Sequence, residues 1–268
     1  MLVIFRTGIE GQVRHIRLLI ASLLQLSIGI AMLLTPVHAW TQADYAREQR
    51  WADEIAPAIV VGDPVRLESR SGRKFLAIYT AAPKAGGGVI VVHGLGVHPD
   101  WGLIGTLRSR LPEHGYATLS VQMPVLAAGA PGEQYPPLFP EAAERLAAAV
   151  THLHGKGFEK IAIVSHSMGA RMSNYFLSHA ANAGVAAWIA IGLPGLVSEP
   201  AAVKIPVLDL YGEKDYAAVL GNAGTRATAL RGIRGSAQVE VAGADHFFAG
   251  REDELVRQVR LFLERRLR

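Results

Sequence analysis

A serine, an aspartate and a histidine in the second half of the chain are spaced as acyl-transfer chemistry would require. Ser167 lies in Ser165-His166-Ser167-Met168-Gly169, between a strand-like run at 160–164 and a helical stretch at 170–183. A serine on a sharp strand-to-helix turn is lifted above the sheet edge, where its hydroxyl can attack a carbonyl. Small residues two before and two after let the strand and helix backbones approach; here they are Ser165 and Gly169. The usual motif is G-x-S-x-G, so Ser165 is a departure. Asp215 ends Tyr211-Gly212-Glu213-Lys214-Asp215, just past a strand-like run. His246 follows the last such run, in Gly243-Ala244-Asp245-His246-Phe247-Phe248. Histidine titrates near neutrality, so it can take the serine proton and return it to a leaving group. The aspartate would fix its tautomer and stabilise the imidazolium. Asp245 and Asp209 stand next in line as the acid, and His166 is expected to pack rather than react.

A fourth feature is His93-Gly94-Leu95-Gly96, directly after the apolar run 89–92. A loop of this kind offers a backbone N–H to an oxyanion, and the residue after the nucleophile offers a second. Those donors are Leu95 and Met168. A dinucleotide fingerprint would need glycine where Pro99 stands, and Lys214 lies in no phosphate-binding P-loop. No cofactor is expected. His152 and His154 face different ways on a helix, and His93, His98 and Asp100 share a loop with a structural or substrate-side role, so no metal is expected either. Between Gln122 and Pro140 lie Pro124, Pro131, Pro136, Pro137 and Pro140, which marks a long irregular loop after a strand. Trp101, Gln122 and Tyr135 are the expected substrate-pocket residues.

These residues need a scaffold that brings them to one edge. A helix is expected over 40–56 as a polar bridge into the domain, then strands at 65–69 and 73–80 joined at Ser71-Gly72. Strand–helix alternation follows, with strands at 89–92, 116–121, 160–164, 186–191, 207–210 and 238–241. Helices are expected at 102–111, 140–153, 170–183, 217–231 and 254–266. Such an order predicts a three-layer α/β domain with about eight strands, mostly parallel, and helices on both faces. Parallel strands point their carboxyl ends the same way, so Ser167, Asp215 and His246 would emerge together. Only residues 192–206 separate two strands before the acid, which leaves no room for a cap domain.

By this element order, and by H-G-x-G, S-x-S-x-G, G-x-x-D and D-H, the chain resembles the α/β-hydrolase superfamily over about residues 60–268. It also resembles an uncharacterised family of exported bacterial α/β-hydrolase-like proteins. The residues that carry this narrower likeness are H-G-L-G-V-H-P-D-W at 93–101 and T-L-S-V-Q-M-P-V-L at 118–126. The superfamily resemblance implies hydrolysis of an ester or related acyl bond through an acyl-enzyme at Ser167. Acyl transfer by the same triad, and a non-catalytic binding or envelope-scaffold role, are the alternatives.

Composition narrows the setting. Half of the 268 residues are apolar and 19% are charged, which excludes a disordered chain. Zero cysteines exclude disulfides, thiolate metal sites and a cysteine nucleophile. Arg14 and Arg17 precede an apolar run at 18–34, and Val37 and Ala39 suit a cleavage site, so 1–39 reads as a signal peptide or retained anchor. Residues 40–60 then form an N-terminal helical segment and 61–268 the hydrolase domain. The expected location is the periplasm or the exterior, with membrane contact only through an uncleaved leader. The formal charge of +4 lies half in that leader, as Arg6, Arg14 and Arg17 against Glu10. The other half lies in the terminal helix, so no basic field remains for nucleic acid. The expected partner is a small-molecule or lipid-like acyl substrate.

Overall fold

The computed structural model describes residues 42–179, 184–197 and 202–267. The leader at 1–39 lies outside the described residues, as does the end of the helix expected to 183. Thr41–Arg268 forms one compact unit.

The chain opens with α1 (Tyr45–Ile55), then β1 (Asp63–Glu68) and β2 (Lys74–Thr80). Next come β3 (Gly88–Val92), α2 (Gly102–Arg110), β4 (Ala117–Val121), α3 (Phe139–Gly155) and β5 (Ile161–His166). The second half holds α4 (Met168–His179), β6 (Ala187–Ile191), β7 (Val207–Lys214), α5 (Ala217–Leu220), α6 (Ala223–Leu230), β8 (Ala237–Asp245) and α7 (Glu252–Leu267). The eight strands make one sheet in the order β1-β2-β4-β3-β5-β6-β7-β8. β1 pairs antiparallel with β2 and β2 with β4, while every other neighbouring pair is parallel.

The apolar runs become strands because both of their faces are covered. In β3, Ile90 and Val92 join the cluster under α3 and α4, and Val89 and Val91 join the opposite cluster under α2 and α7. β5 divides in the same way, with Ile161 and Ile163 on one face and Ala162 and Val164 on the other. That alternation along a continuous apolar run is the mark of a parallel strand buried between two helical layers.

Three expectations need correcting. The helix expected at 217–231 is two, α5 and α6, interrupted at Gly221 and Asn222. The last two strands run further than expected, as a pair that reaches Lys214 and Asp245 with an irregularity between Gly212 and Lys214. Gly212 permits this, because a Cβ there would collide with the Ala244 carbonyl oxygen. The two strand ends therefore deliver Asp215 and His246 with no intervening loop.

The third correction concerns α1, which is part of the domain and no mere bridge. Asp44 caps it through Arg47 N–H at 2.9 Å, and the Asp44 N–H reaches the Val125 carbonyl at 2.7 Å. From within α3, the buried Arg145 holds Glu48 at 2.8 Å and Glu141 at 2.6 Å, and donates to the Gln122 carbonyl at 3.0 Å. Burial pushes the Glu48 carboxyl up, and the Arg145 charge opposes that shift. Helix, loop and sheet are thus tied at one buried cation.

Candidate active site

Ser167 stands alone between β5 and α4 with φ of 55°. A non-glycine residue in the left-handed region is held there only by its surroundings. Its N–H donates to the Ile191 carbonyl at 2.9 Å, and its own carbonyl accepts from Ala170 N–H at 2.9 Å, which starts α4. Gly169 is required, since a Cβ on it would run into the His93 carbonyl oxygen at the end of β3. The helix can therefore lie directly against the neighbouring strand. Ser165, at the unusual position, is buried with its hydroxyl accepting from the Trp188 indole N–H at 2.8 Å across the β5–β6 pair. A glycine there would leave that indole unpaired.

His246 and Asp215 meet Ser167 at the sheet's carboxyl edge. His246 Nε2 lies 3.0 Å from the Ser167 Oγ, and its Nδ1 lies 2.5 Å from Asp215 Oδ1. With the Nδ1 proton donated to the carboxylate, Nε2 carries the lone pair that faces the serine hydroxyl. Asp215 accepts from the Tyr216 N–H at 2.8 Å on the same oxygen, which fixes its carboxylate. Gly192 with φ of 55° passes against this pair, and a Cβ there would sit 3.0 Å from the imidazole. The other candidate acids are occupied. Asp209 is buried against Arg226 Nε at 2.8 Å, and Asp245 accepts from Phe247 and Ala249 N–H at 3.0 Å each. This is the catalytic triad of a serine hydrolase.

Two further rings flank the histidine. Tyr216 stacks on it at 4.2 Å between centroids and 28°, and His166 lies on it at 4.6 Å and 46°. Nothing in the local sequence singles out Tyr216. His166 packs as expected, but it also donates from Nε2 to the His246 carbonyl at 2.9 Å. Burial holds the His166 imidazole neutral, its pKa pushed down to about 3, with the nearby His246 adding to the shift.

The loop after β3 is held from below by His93. Its Nε2 accepts from Met123 N–H at 2.9 Å, and Nδ1–H donates to the Gly94 carbonyl at 2.9 Å. Both ring nitrogens are thereby used, and burial pushes this imidazole down to about 3 as well. Arg47 of α1 clamps the same loop from above, donating to the Gly96 carbonyl at 2.9 Å and the Leu126 carbonyl at 2.8 Å. The clamp sets Gly94 against the nucleophile, where a Cβ would stand 3.2 Å from the Ser167 Cβ. Met168 is the first residue of α4, and first-turn N–H groups have no acceptor within their own helix.

The three expected pocket residues separate. Trp101 is half-buried and meets Phe247 edge-on at 5.5 Å. Gln122 and Tyr135 are each only 1% exposed and so do not line an open pocket. Gln122 donates to the Met123 carbonyl at 2.7 Å, and the Tyr135 hydroxyl accepts from Leu126 N–H at 3.2 Å. Both brace the proline-rich loop from inside, because their polar ends found backbone partners there. A separate groove of about 780 Å³ lies between β1, α3 and α4, remote from the triad, with Arg66, Glu144 and His179 among its walls.

Comparisons with known proteins agree with this architecture. An esterase from Pyrococcus furiosus superposes with a TM-score of 0.65 at 15% identity, over 77% of this chain and 93% of that one. A dienelactone hydrolase from Anabaena variabilis gives 0.61 at 20% identity, over 76% and 99%. A Xanthomonas campestris protein described as an α/β serine hydrolase without a lid gives 0.61 at 16%, over 77% and 95%. The fold is that of the α/β-hydrolases. Among the described residues, no cap is inserted between the strands. A family model described as a protein of unknown function (DUF3530) matches residues 62–143, a stretch that contains 93–101 and 118–126. No curated protein matches the sequence.

Proposed function

We propose that the protein hydrolyses an ester or related acyl bond through an acyl-enzyme at Ser167. The observation that carries this is the continuous chain from Ser167 Oγ to His246 Nε2 and from Nδ1 to Asp215, at 3.0 and 2.5 Å. Ser167 Oγ attacks the carbonyl carbon while His246 Nε2 takes its proton, and the carbonyl oxygen becomes an oxyanion. The backbone N–H groups of Leu95 and Met168 receive that charge. Collapse expels the alcohol, which leaves with the proton from His246. Water then repeats the sequence on the acyl-enzyme, His246 acting as base and then as acid, and the carboxylic acid departs.

Labelling by a small fluorophosphonate tests this directly. The folded protein should be labelled, and Ser167→Ala should abolish the signal. A folded protein that takes up no label at Ser167 would sink the reading.

We further propose membership of the family of unknown function matched at 62–143, and export by way of the leader at 1–39. The two motif stretches inside the match support the first, and the basic, apolar and small-residue order of the leader supports the second. N-terminal sequencing of protein recovered from the cell envelope should begin at Trp40; an uncleaved chain confined to the cytosol would refute export.

A further inference from the structure

Two arginines are fully buried among the described residues, Arg145 and Arg226. Arg226 lies on α6, and its Nε donates to Asp209 Oδ2 of β7 at 2.8 Å. The same carboxylate oxygen accepts from Gln238 Nε2 of β8 at 2.7 Å. Burial pushes the Asp209 carboxyl up, and the Arg226 charge opposes that shift. A buried ion pair is a costly way to fill space, since apolar residues of the same volume often serve stability as well or better. What such residues could not supply is the rest of the guanidinium. Its Nη1 forks to two main-chain oxygens, those of Val219 at 2.9 Å and Gly195 at 3.2 Å.

Both oxygens belong to segments that touch the acid and the base. Val219 sits in α5, a helix of four residues that begins directly after Tyr216. A single turn is not stable by itself, because its nucleus orders several residues for very few bonds. Here the turn closes on the Tyr216 carbonyl, which accepts from Val219 N–H at 2.8 Å and Leu220 N–H at 3.1 Å. Arg226 holds its other end. Tyr216 in turn gives its N–H to Asp215 Oδ1 at 2.8 Å and lays its ring on His246 at 4.2 Å. The Gly195 N–H donates to the Ala218 carbonyl at 3.3 Å, so the loop after β6 is joined to α5 as well as to Arg226. That loop begins at Gly192, where a Cβ would stand 3.3 Å from Asp215 Oδ2.

We propose that Arg226 is a positioning residue for the acid and the base. Anchored on the sheet through Asp209, its guanidinium is a strut that fastens α5, and α5 sets Tyr216 against Asp215 and His246. This rests on the serine-hydrolase reading and adds what keeps the histidine in place for Ser167. Arg226 acts through Tyr216 and not on the reacting atoms.

The test is the saturation kinetics of Ser167 labelling by the small fluorophosphonate, a reaction in which His246 takes the same proton. Arg226→Met alone would strand the Asp209 carboxylate. The deciding variant therefore combines Asp209→Leu with Arg226→Met, which replaces the ion pair by apolar groups. Its thermal midpoint should match or exceed that of the wild type. Its maximal labelling rate should nevertheless fall by about 10- to 100-fold, with the half-saturating concentration little changed, as for a misplaced reacting group. Tyr216→Leu should slow labelling in the wild type and cost less in the double variant, where the ring has already lost its support. A folded double variant labelled at full rate would overturn the strut and leave the hydrolase standing. So would an equal cost of Tyr216→Leu in both backgrounds, or a rate that falls only with the thermal midpoint. If the double variant does not fold, Arg226→Lys decides. Its ammonium keeps the Asp209 charge paired but has no fork for the two carbonyls, so labelling should slow by about five- to tenfold. Labelling of that variant at full rate would overturn the strut. A wild-type protein that takes no label would remove the strut and the hydrolase together.

Discussion

The His166 Nε2–H donates to the main-chain oxygen of His246 at 2.9 Å, joining the residue before the nucleophile to the residue that bears the base. The two are 80 positions apart in sequence, and the bond is buried. It locks the loop after β8 onto the elbow after β5, so the distance between Oγ and Nε2 depends on it. His166 is on this account a positioning residue, which acts through His246. His166→Phe should lower kcat by about 10- to 100-fold, the usual loss for a misplaced reacting group, with KM little changed. His166→Gln, which can present a donor near the same place, should recover part of kcat. Equal losses in both variants, or a change in stability with kcat intact, would leave the bond structural only.

Arg47 bridges the Gly96 and Leu126 carbonyls from α1. Without it, the loop that aims the Leu95 N–H loses its outer clamp while His93 still holds its root. Arg47→Ala should reduce kcat by about tenfold or more, since oxyanion donors must be placed closely, and should spare most of the thermal midpoint. Steady-state kinetics beside a melting curve would separate the two effects. An unchanged kcat would show that His93 alone sets the loop.

Ser165 departs from the glycine of the usual elbow because its hydroxyl accepts from the buried Trp188 indole. Ser165→Ala leaves that N–H without a partner, at a cost of about 1–3 kcal/mol. Urea unfolding should show the loss, while Ser167 remains reactive. Trp188→Phe in the same background should cost less than in the wild type, because the donor is gone. Strict additivity of the two changes would refute the bond's contribution.

His93 and His166 are both held neutral by burial, with pKa values pushed down to about 3. In the unfolded chain they would titrate near their ordinary value of about 6.5. Below that pH the unfolded state takes up protons that the folded state does not. Stability present above about pH 6.5 is therefore lost as the pH falls toward 3, by roughly 1.4 kcal/mol per pH unit for each histidine. Urea midpoints at pH 7.5 and 5 would measure the slope, and His166→Gln should remove about half of it. Equal midpoints at the two values would rule out the effect.

The sequence by itself determined the layers and the chemistry. Continuous apolar runs such as 89–92 and 161–164 can be satisfied only between two covered faces, and their alternation with helical stretches leaves a parallel sheet as the natural outcome. Chain order then placed Ser167, Asp215 and His246 at the ends of strands that point one way. Local sequence could carry this because periodicity, turn residues and strand direction are local properties.

The tertiary structure decided how buried polar groups are satisfied. Arg145 reads as one more charge on an amphipathic helix, yet it is fully buried and meets Glu48 across 97 positions. Gln122 and Tyr135 look like pocket residues until their side chains are seen bonded to the backbone beneath the loop. Tyr216 is unremarkable until the packed chain lays its ring on His246. A buried donor or acceptor must find a partner, but which one it finds is set by the packing of elements distant in sequence. That choice, made only in the folded chain, turned three suitably spaced residues into a site with fixed geometry.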